Sequence, residues 1–234
     1  RKPRPRLNRS HLLLGFITLC LLVWCLKAIH HATQPKYQGK TAEEWFALVD
    51  PHAQQNAALA ISHADPAIQA FQHLGPSAAR FLWRELHVTD TALKKLFIHK
   101  AAEWSEGRWL IETSETRNFK ALVALGKMGP AADCLIPELL IRAQSTNHVD
   151  CYRGLSLIGH IGTRPEVAVP LFLSNVTSTN PMAFGQSMAG LEQYGPPASN
   201  ALPALEQALT LRTGHDRLLV AYAMVGIGDR SKLT

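Results

Sequence analysis

Apolar residues recur along the C-terminal half of the chain at steps of three and four, the spacing of one helix face. The clearest marker is a glycine that returns with a constant 33-residue period, at Gly129, Gly162, Gly195 and Gly228. One residue before them stand Met128, Ile161, Tyr194 and Ile227; four before, Leu125, Ile158, Leu191 and Met224; seven before, Leu122, Leu155, Met188 and Ala221. Each glycine is therefore predicted to sit just past a helix end, where a left-handed backbone costs a residue without Cβ least. A second helix is predicted after each one. Eight residues on, three units carry proline: Pro137, Pro170 and Pro203. Proline is tolerated in a first turn, whose N–H groups have no intrahelical partner. Asp133, Glu166 and Ser199, four residues earlier, read as caps or helix-start residues, which puts each proline near the fourth helical position. Buried partners are expected at Ile136, Val169 and Leu202, and at Leu139, Phe172 and Leu205. Gly126 and Gly159, one period apart, are expected to let adjacent helices approach closely.

A looser unit over 56–86 centres on Gly75-Pro76, with Ile68, Phe71 and Leu74 before it and Phe81 and Leu82 after. The interval from Gly75 to Gly129 is longer than one period by more than half of a second. The excess is read as an inserted or lengthened helix within 87–117, which holds Trp104 and Trp109. Upstream, Thr41 and Glu44 make a capping box for a helix that ends near Asp50-Pro51. The expected body is an all-α domain over 41–234, with regular repeats over 118–229. No single helix pair buries enough apolar surface to stand alone, so each must stack on its neighbours. The period also calls for a further second helix beyond Asp229.

The N-terminus follows a different pattern. A basic, proline-containing stretch over 1–10 precedes an apolar run, predicted as a transmembrane helix over 11–29. The eighteen residues from Leu12 to Ile29 span about 27 Å, close to a hydrocarbon core of about 30 Å. Residues 30–40 read as a linker. The run fits an uncleaved signal-anchor or a cleavable signal peptide; the absence of a clean A-x-A site downstream favours the anchor. Either way the basic flank stays in the cytoplasm and the body is translocated. The expected location is thus a single-pass membrane protein with its repeats outside, or a secreted domain after cleavage.

Paired short helices at this constant period, joined by Gly-Pro or Gly-Asp turns and with proline opening the second helix, resemble HEAT repeats. The variety similar to the HEAT-like repeats of the bilin lyases (PBS lyases) is nearest. The resemblance implies a right-handed α-solenoid of the HEAT/armadillo kind. It covers 118–229 well and 56–86 loosely, and it says almost nothing about chemistry. The function expected from it is a membrane-tethered scaffold for protein–protein interaction; the alternative is an enzyme or chaperone acting on a protein or pigment, as bilin lyases do.

Charge narrows the partners. The net charge is +6, but six of the 24 basic residues lie in residues 1–32, where there is no acidic one. The remainder holds 18 basic against 18 acidic residues. A neutral body disfavours nucleic acid, so a protein or peptide is the expected partner. Eleven histidines are scattered without H-E-x-x-H, and the His-Glu dipeptides of HEAT-type metal hydroxylases are missing. No catalytic constellation, cofactor or metal is expected. Ser187, in a Gly-x-Ser-like setting, falls inside a repeat helix. Cys134 and Cys151 open successive helices and are expected to remain unbridged. The candidate binding residues are Glu138 and Arg142, an i, i+4 pair on a second helix, with Gln207 on another, and Trp104 and Trp109 in the insertion as exposed aromatic hot spots.

Overall fold

A computed structural model describes residues 18, 21–26, 28–29, 31–49, 65–103 and 112–228. The basic tail 1–10, most of the apolar run 11–29, the start of the irregular unit and the final residues lie outside the described residues. Described residues between 18 and 33 are helical, and Leu21–Leu26 and Ile29 are exposed. Among the described residues no helix is long and apolar enough to cross a membrane.

The segment read as a linker holds a β-hairpin. Strands β1 (Lys36–Tyr37) and β2 (Lys40–Thr41) pair antiparallel. Gln38 and Gly39 turn between them at φ 48° and 77°. Positive φ at both central residues is the geometry whose twist matches a two-residue hairpin. Thr41 then caps α1 (Ala42–Ala47) as expected: Glu44 N–H donates to its hydroxyl at 3.3 Å and its own N–H donates to Glu44 Oε2 at 2.7 Å.

Among the described residues the remaining elements are helical. Helices α2 (Pro66–Leu74) and α3 (Pro76–Glu85) form the irregular unit, and α4 (Ala92–Glu103) follows within the insertion. The regular part alternates long and short helices: α5 (Ser114–Met128), α6 (Ile136–Ala143), α7 (His148–Ile161), α8 (Pro165–Ser174), α9 (Pro181–Tyr194), α10 (Leu202–Leu211) and α11 (Gly214–Ile227). The long helices α5, α7, α9 and α11 pack side by side in chain order, and α6, α8 and α10 each pack on the long helix that follows. Helix α3 packs directly on α5, although the insertion separates them in sequence. One core runs from Trp45 to Ile227. It includes the repeat positions Leu125, Ile158, Leu191 and Met224, and also Leu139, Phe172 and Leu205.

All the period glycines have positive φ, in two classes. Gly75, Gly129 and Gly195 have φ 56°, 56° and 63° with ψ −129°, −135° and −139°; Gly162 and Gly228 have ψ 18° and −2°. The first three precede proline. Proline Cδ disfavours helical ψ in the residue before it, and the mirror-extended alternative is open only to glycine.

The prolines depart from the predicted register. After Gly129 and Gly195 the chain runs through 3-10 turns, Gly129–Leu135 and Pro196–Ala201, before the α-helix begins. Pro137 and Pro203 are thus the second residues of α6 and α10, where the missing N–H costs nothing. Pro170 lies inside α8, which Pro165 opens. Its absent bond would have reached the carbonyl of exposed Glu166, where water can serve instead. Asp133 and Ser199 do not cap these helices.

Candidate functional site

The caps the sequence reading missed lie in the loops between short and long helices. Ser145-Thr146-Asn147 and Ser178-Thr179-Asn180 stand one period apart. Asn147 Oδ1 accepts from the N–H groups of Val149 and Asp150, and Asn180 Oδ1 from those of Met182 and Ala183. Ser145 and Ser178 hydroxyls each accept from the asparagine N–H at 3.1 Å. This second periodic motif was visible in the chain but lacks glycine or proline to announce it. In the next unit the register places Arg212 where Thr146 and Thr179 stand. Arg212 reaches back instead: Nη2 donates to the carbonyls of Val176 at 3.0 Å and Ser178 at 2.8 Å, and Nη1 pairs with Asp216 at 3.2 Å. Its guanidinium also lies 4.3 Å from the ring centre of Phe184.

That staple shapes a cleft of 440 Å³ between the end of α8 and the face of α10. Val176 and Ala208, both buried, form its apolar floor together with Leu173 and Ala204. Thr177, Thr179 and Gln207 supply a polar rim, and Leu211 stands at its edge 72% exposed. Such a volume, apolar below and hydrogen-bonding at the mouth, suits an apolar side chain presented on an extended segment. Among the described lining residues Arg212 is the sole ionisable one.

The predicted residues are therefore not brought together. Gln207 lines this cleft; Glu138 and Arg142 do not. Arg142 pairs with Asp150 on the following helix at 3.1 Å, in place of Glu138, and lies 6.0 Å from the Trp83 ring centre. Glu138 is exposed on α6. Trp104 and Trp109 lie outside the described residues. Ser187 is sealed in the core with no hydrogen-bond partner on its hydroxyl, out of reach of any substrate in solvent. Among the described residues no three His, Cys, Asp or Glu side chains converge as a metal would require. Cys134 and Cys151 are free thiols whose pKa values burial pushes up; the Cys151 Sγ donates to the carbonyl of Ala143 at 3.2 Å.

Three titratable groups with displaced pKa values, Asp133, Arg164 and Tyr194, meet at one joint between units. Arg164 has φ 53° directly before Pro165, a conformation costing about 1–3 kcal/mol in a non-glycine residue. A forked ion pair holds it there: Nε meets Asp133 Oδ1 at 3.0 Å and Nη2 meets Oδ2 at 2.6 Å. The Thr163 hydroxyl donates to Asp133 Oδ1 at 2.7 Å, and the Tyr194 hydroxyl donates to the Thr163 carbonyl. Burial, with help from the charges of Glu166 and Asp133, pushes the Tyr194 phenol up to about 12. The Arg164 guanidinium first, then the Thr163 hydroxyl, hold Asp133 below the ordinary value of 3.8. A carboxylate with a depressed folded pKa stabilises the fold above 3.8 and loses that contribution as pH falls below it. Asp133→Asn is expected to lower stability at pH 7 by about 0.5–1 kcal/mol, the pair being partly solvent-screened. The gap between variant and parent should close in thermal melts as pH falls below 3.8. A gap of constant size down to strong acid would show that the ion pair does not bear on stability.

Comparisons with protein-family models, with curated proteins and with solved structures each return no match for this chain.

Proposed function

We propose that the chain is a non-catalytic interaction scaffold: a right-handed HEAT-like stack of helix pairs, tethered to a membrane by its N-terminal segment and taking a protein or peptide partner. The observation that carries this reading is the cleft between α8 and α10, with its apolar floor and hydrogen-bonding rim. The Arg212 guanidinium is already committed to two carbonyls and Asp216, so the lining offers shape and hydrogen bonds in place of acid–base chemistry. The exposed apolar residues Leu21–Leu26 and Ile29 support the tether, because a bilayer removes such a surface from water. The constant period and the side-by-side long helices support the repeat class.

The test is selection of displayed peptides on the full chain held in nanodiscs. Enriched peptides should share a large apolar residue. Ala204→Trp, which fills the cleft from its lining, should weaken their binding at least tenfold, since losing one anchor residue costs about 2 kcal/mol or more. The variant's melting temperature should be unchanged. Absence of enrichment, or binding indifferent to this substitution, overturns the proposal.

A further inference from the structure

A pocket of 210 Å³ opens between α5 and α7, on residues that take no part in the cleft between α8 and α10. Leu122 and Val123 of α5 and buried Leu157 of α7 give it apolar walls. Lys127 and His160 line it from the last turns of the two helices, with Gly126 between them. Glycine inside a helix is disfavoured against alanine and calls for a reason. At Gly154, Gly159, Gly190 and Gly226 the reason is packing, because a Cβ would meet its nearest neighbour at 3.0 Å or less. At Gly126 the nearest atoms are His160 Cδ2 and Cγ, both at 3.6 Å, and the backbone is not left-handed. Neither packing nor backbone conformation requires this glycine. What the missing side chain leaves is open space in front of His160.

The histidine is oriented. Its Nδ1 lies 2.8 Å from the Ser156 carbonyl, which can only accept, so Nδ1 carries the hydrogen and Nε2 of the neutral ring is a bare acceptor. The Cδ2 side of the ring, which leads to Nε2, borders Gly126 and the pocket. Charge then selects the ligand. The last turns of α5 and α7 carry the negative ends of their dipoles, which disfavour a carboxylate, and the Lys127 ammonium disfavours a cation. A neutral group remains, one that donates to Nε2 and accepts from an ammonium. A phenol hydroxyl does both, and its ring suits the apolar walls. Size agrees, since an apolar cavity of about 150 Å³ already holds benzene. The pocket is also smaller than the roughly 300 Å³ at which drug-sized sites begin. We infer that the pocket between α5 and α7 binds a phenolic ring against Leu122, Val123 and Leu157, with the hydroxyl placed between His160 Nε2 and the Lys127 ammonium. The ring is that of a free phenol or of a tyrosine side chain. The site stands apart from the proposed scaffold function, because the two clefts share no lining residue.

The test is protein-observed NMR on the full chain in nanodiscs, with carbon-13 in leucine and valine methyl groups, so that probe dissolved in lipid is not counted. Titration with 4-methylphenol should shift the methyl signals of Leu122, Val123 and Leu157. It should bind at least threefold more tightly than toluene, since a net hydrogen bond contributes roughly threefold to tenfold. His160→Phe keeps a ring and removes the acceptor, so it should abolish that preference while toluene binds no more weakly. Gly126→Leu should fill the pocket and remove binding of both probes at an unchanged melting temperature. Should the leucine variant unfold, Gly126→Ala serves in its place, and at least threefold weaker binding of 4-methylphenol is expected in a chain no less stable than its parent. Tighter binding of N-acetyltyrosine amide than of 4-methylphenol assigns the site to a partner's tyrosine; weaker binding assigns it to a free phenol. Unmoved methyl signals, equal binding of toluene and 4-methylphenol, or a preference that survives His160→Phe overturns the inference.

Discussion

Gly154→Ala is expected to lower the melting temperature by about 4–8 °C, while Gly126→Ala raises it by about 1–4 °C. Both glycines lie inside long helices, α7 and α5, where alanine is favoured over glycine by about 0.5–1 kcal/mol. Their surroundings give the two substitutions opposite signs. A Cβ on Gly154 would stand 2.5 Å from the Ala143 nitrogen, 2.9 Å from its Cα and 3.0 Å from the Arg142 carbonyl carbon. These are backbone atoms at the end of α6 and cannot rotate aside. Relief means moving α6 off α7, and with it buried Ile136, Leu139 and Ala143. Overpacking of this kind costs about 1–3 kcal/mol or more, which outweighs the gain in helix propensity. The three atoms nearest a Cβ on Gly126 all belong to the His160 side chain, at 3.6–3.8 Å, an ordinary contact. Its propensity gain is then unopposed. Calorimetry on both variants checks the pair; a Gly154→Ala protein as stable as its parent would show that α6 is not held against α7 as described.

The same contrast shows what the sequence made legible. The constant period placed Gly126 and Gly159 at equivalent positions, and the expectation was close approach at both. Gly159 meets it: a Cβ there would lie 3.2 Å from Gly190 Cα and 3.0 Å from Gln193 Oε1. Gly126 does not, because the residue facing it is His160. Periodicity reports which face of a helix is buried, and the core positions Leu125, Ile158, Leu191 and Met224 follow from it directly. It does not report what the next helix presents, which depends on crossing geometry. For the same reason Gln207 could be singled out as a surface residue of α10, but not as part of a cleft. The cleft exists because Arg212 binds two carbonyls in the loop one unit earlier, those of Val176 and Ser178. The hairpin at 36–41 was obscured differently: Gln38-Gly39 is a weak version of the Asn-Gly signal, and two strands of two residues each carry too little alternation to be read.

Gly190→Ala should destabilise the fold by about 2–3 kcal/mol, and Phe172→Leu in the same chain should recover at least about 1 kcal/mol of that loss. A Cβ on Gly190 would sit 2.5 Å from Phe172 Cζ and 2.7 Å from Cε1 and Cε2. The ring is fully buried and has Tyr194 edge-on at 5.9 Å, so it has no free volume to swing into. Leucine lacks those outer ring atoms. One period further along, the equivalent positions are Leu205 and Ala223, both fully buried. The double variant thus writes the next unit's solution into this one. Alone, Phe172→Leu leaves a cavity opposite glycine and should cost somewhat less than the roughly 3–5 kcal/mol of a phenylalanine-to-alanine change. Each substitution therefore supplies what the other lacks, and the double variant restores a filled joint between α8 and α9. Urea denaturation of the four chains measures the coupling. Strict additivity would mean that the two units do not share this packing rule, and that the repeat is a resemblance of turns without a common core.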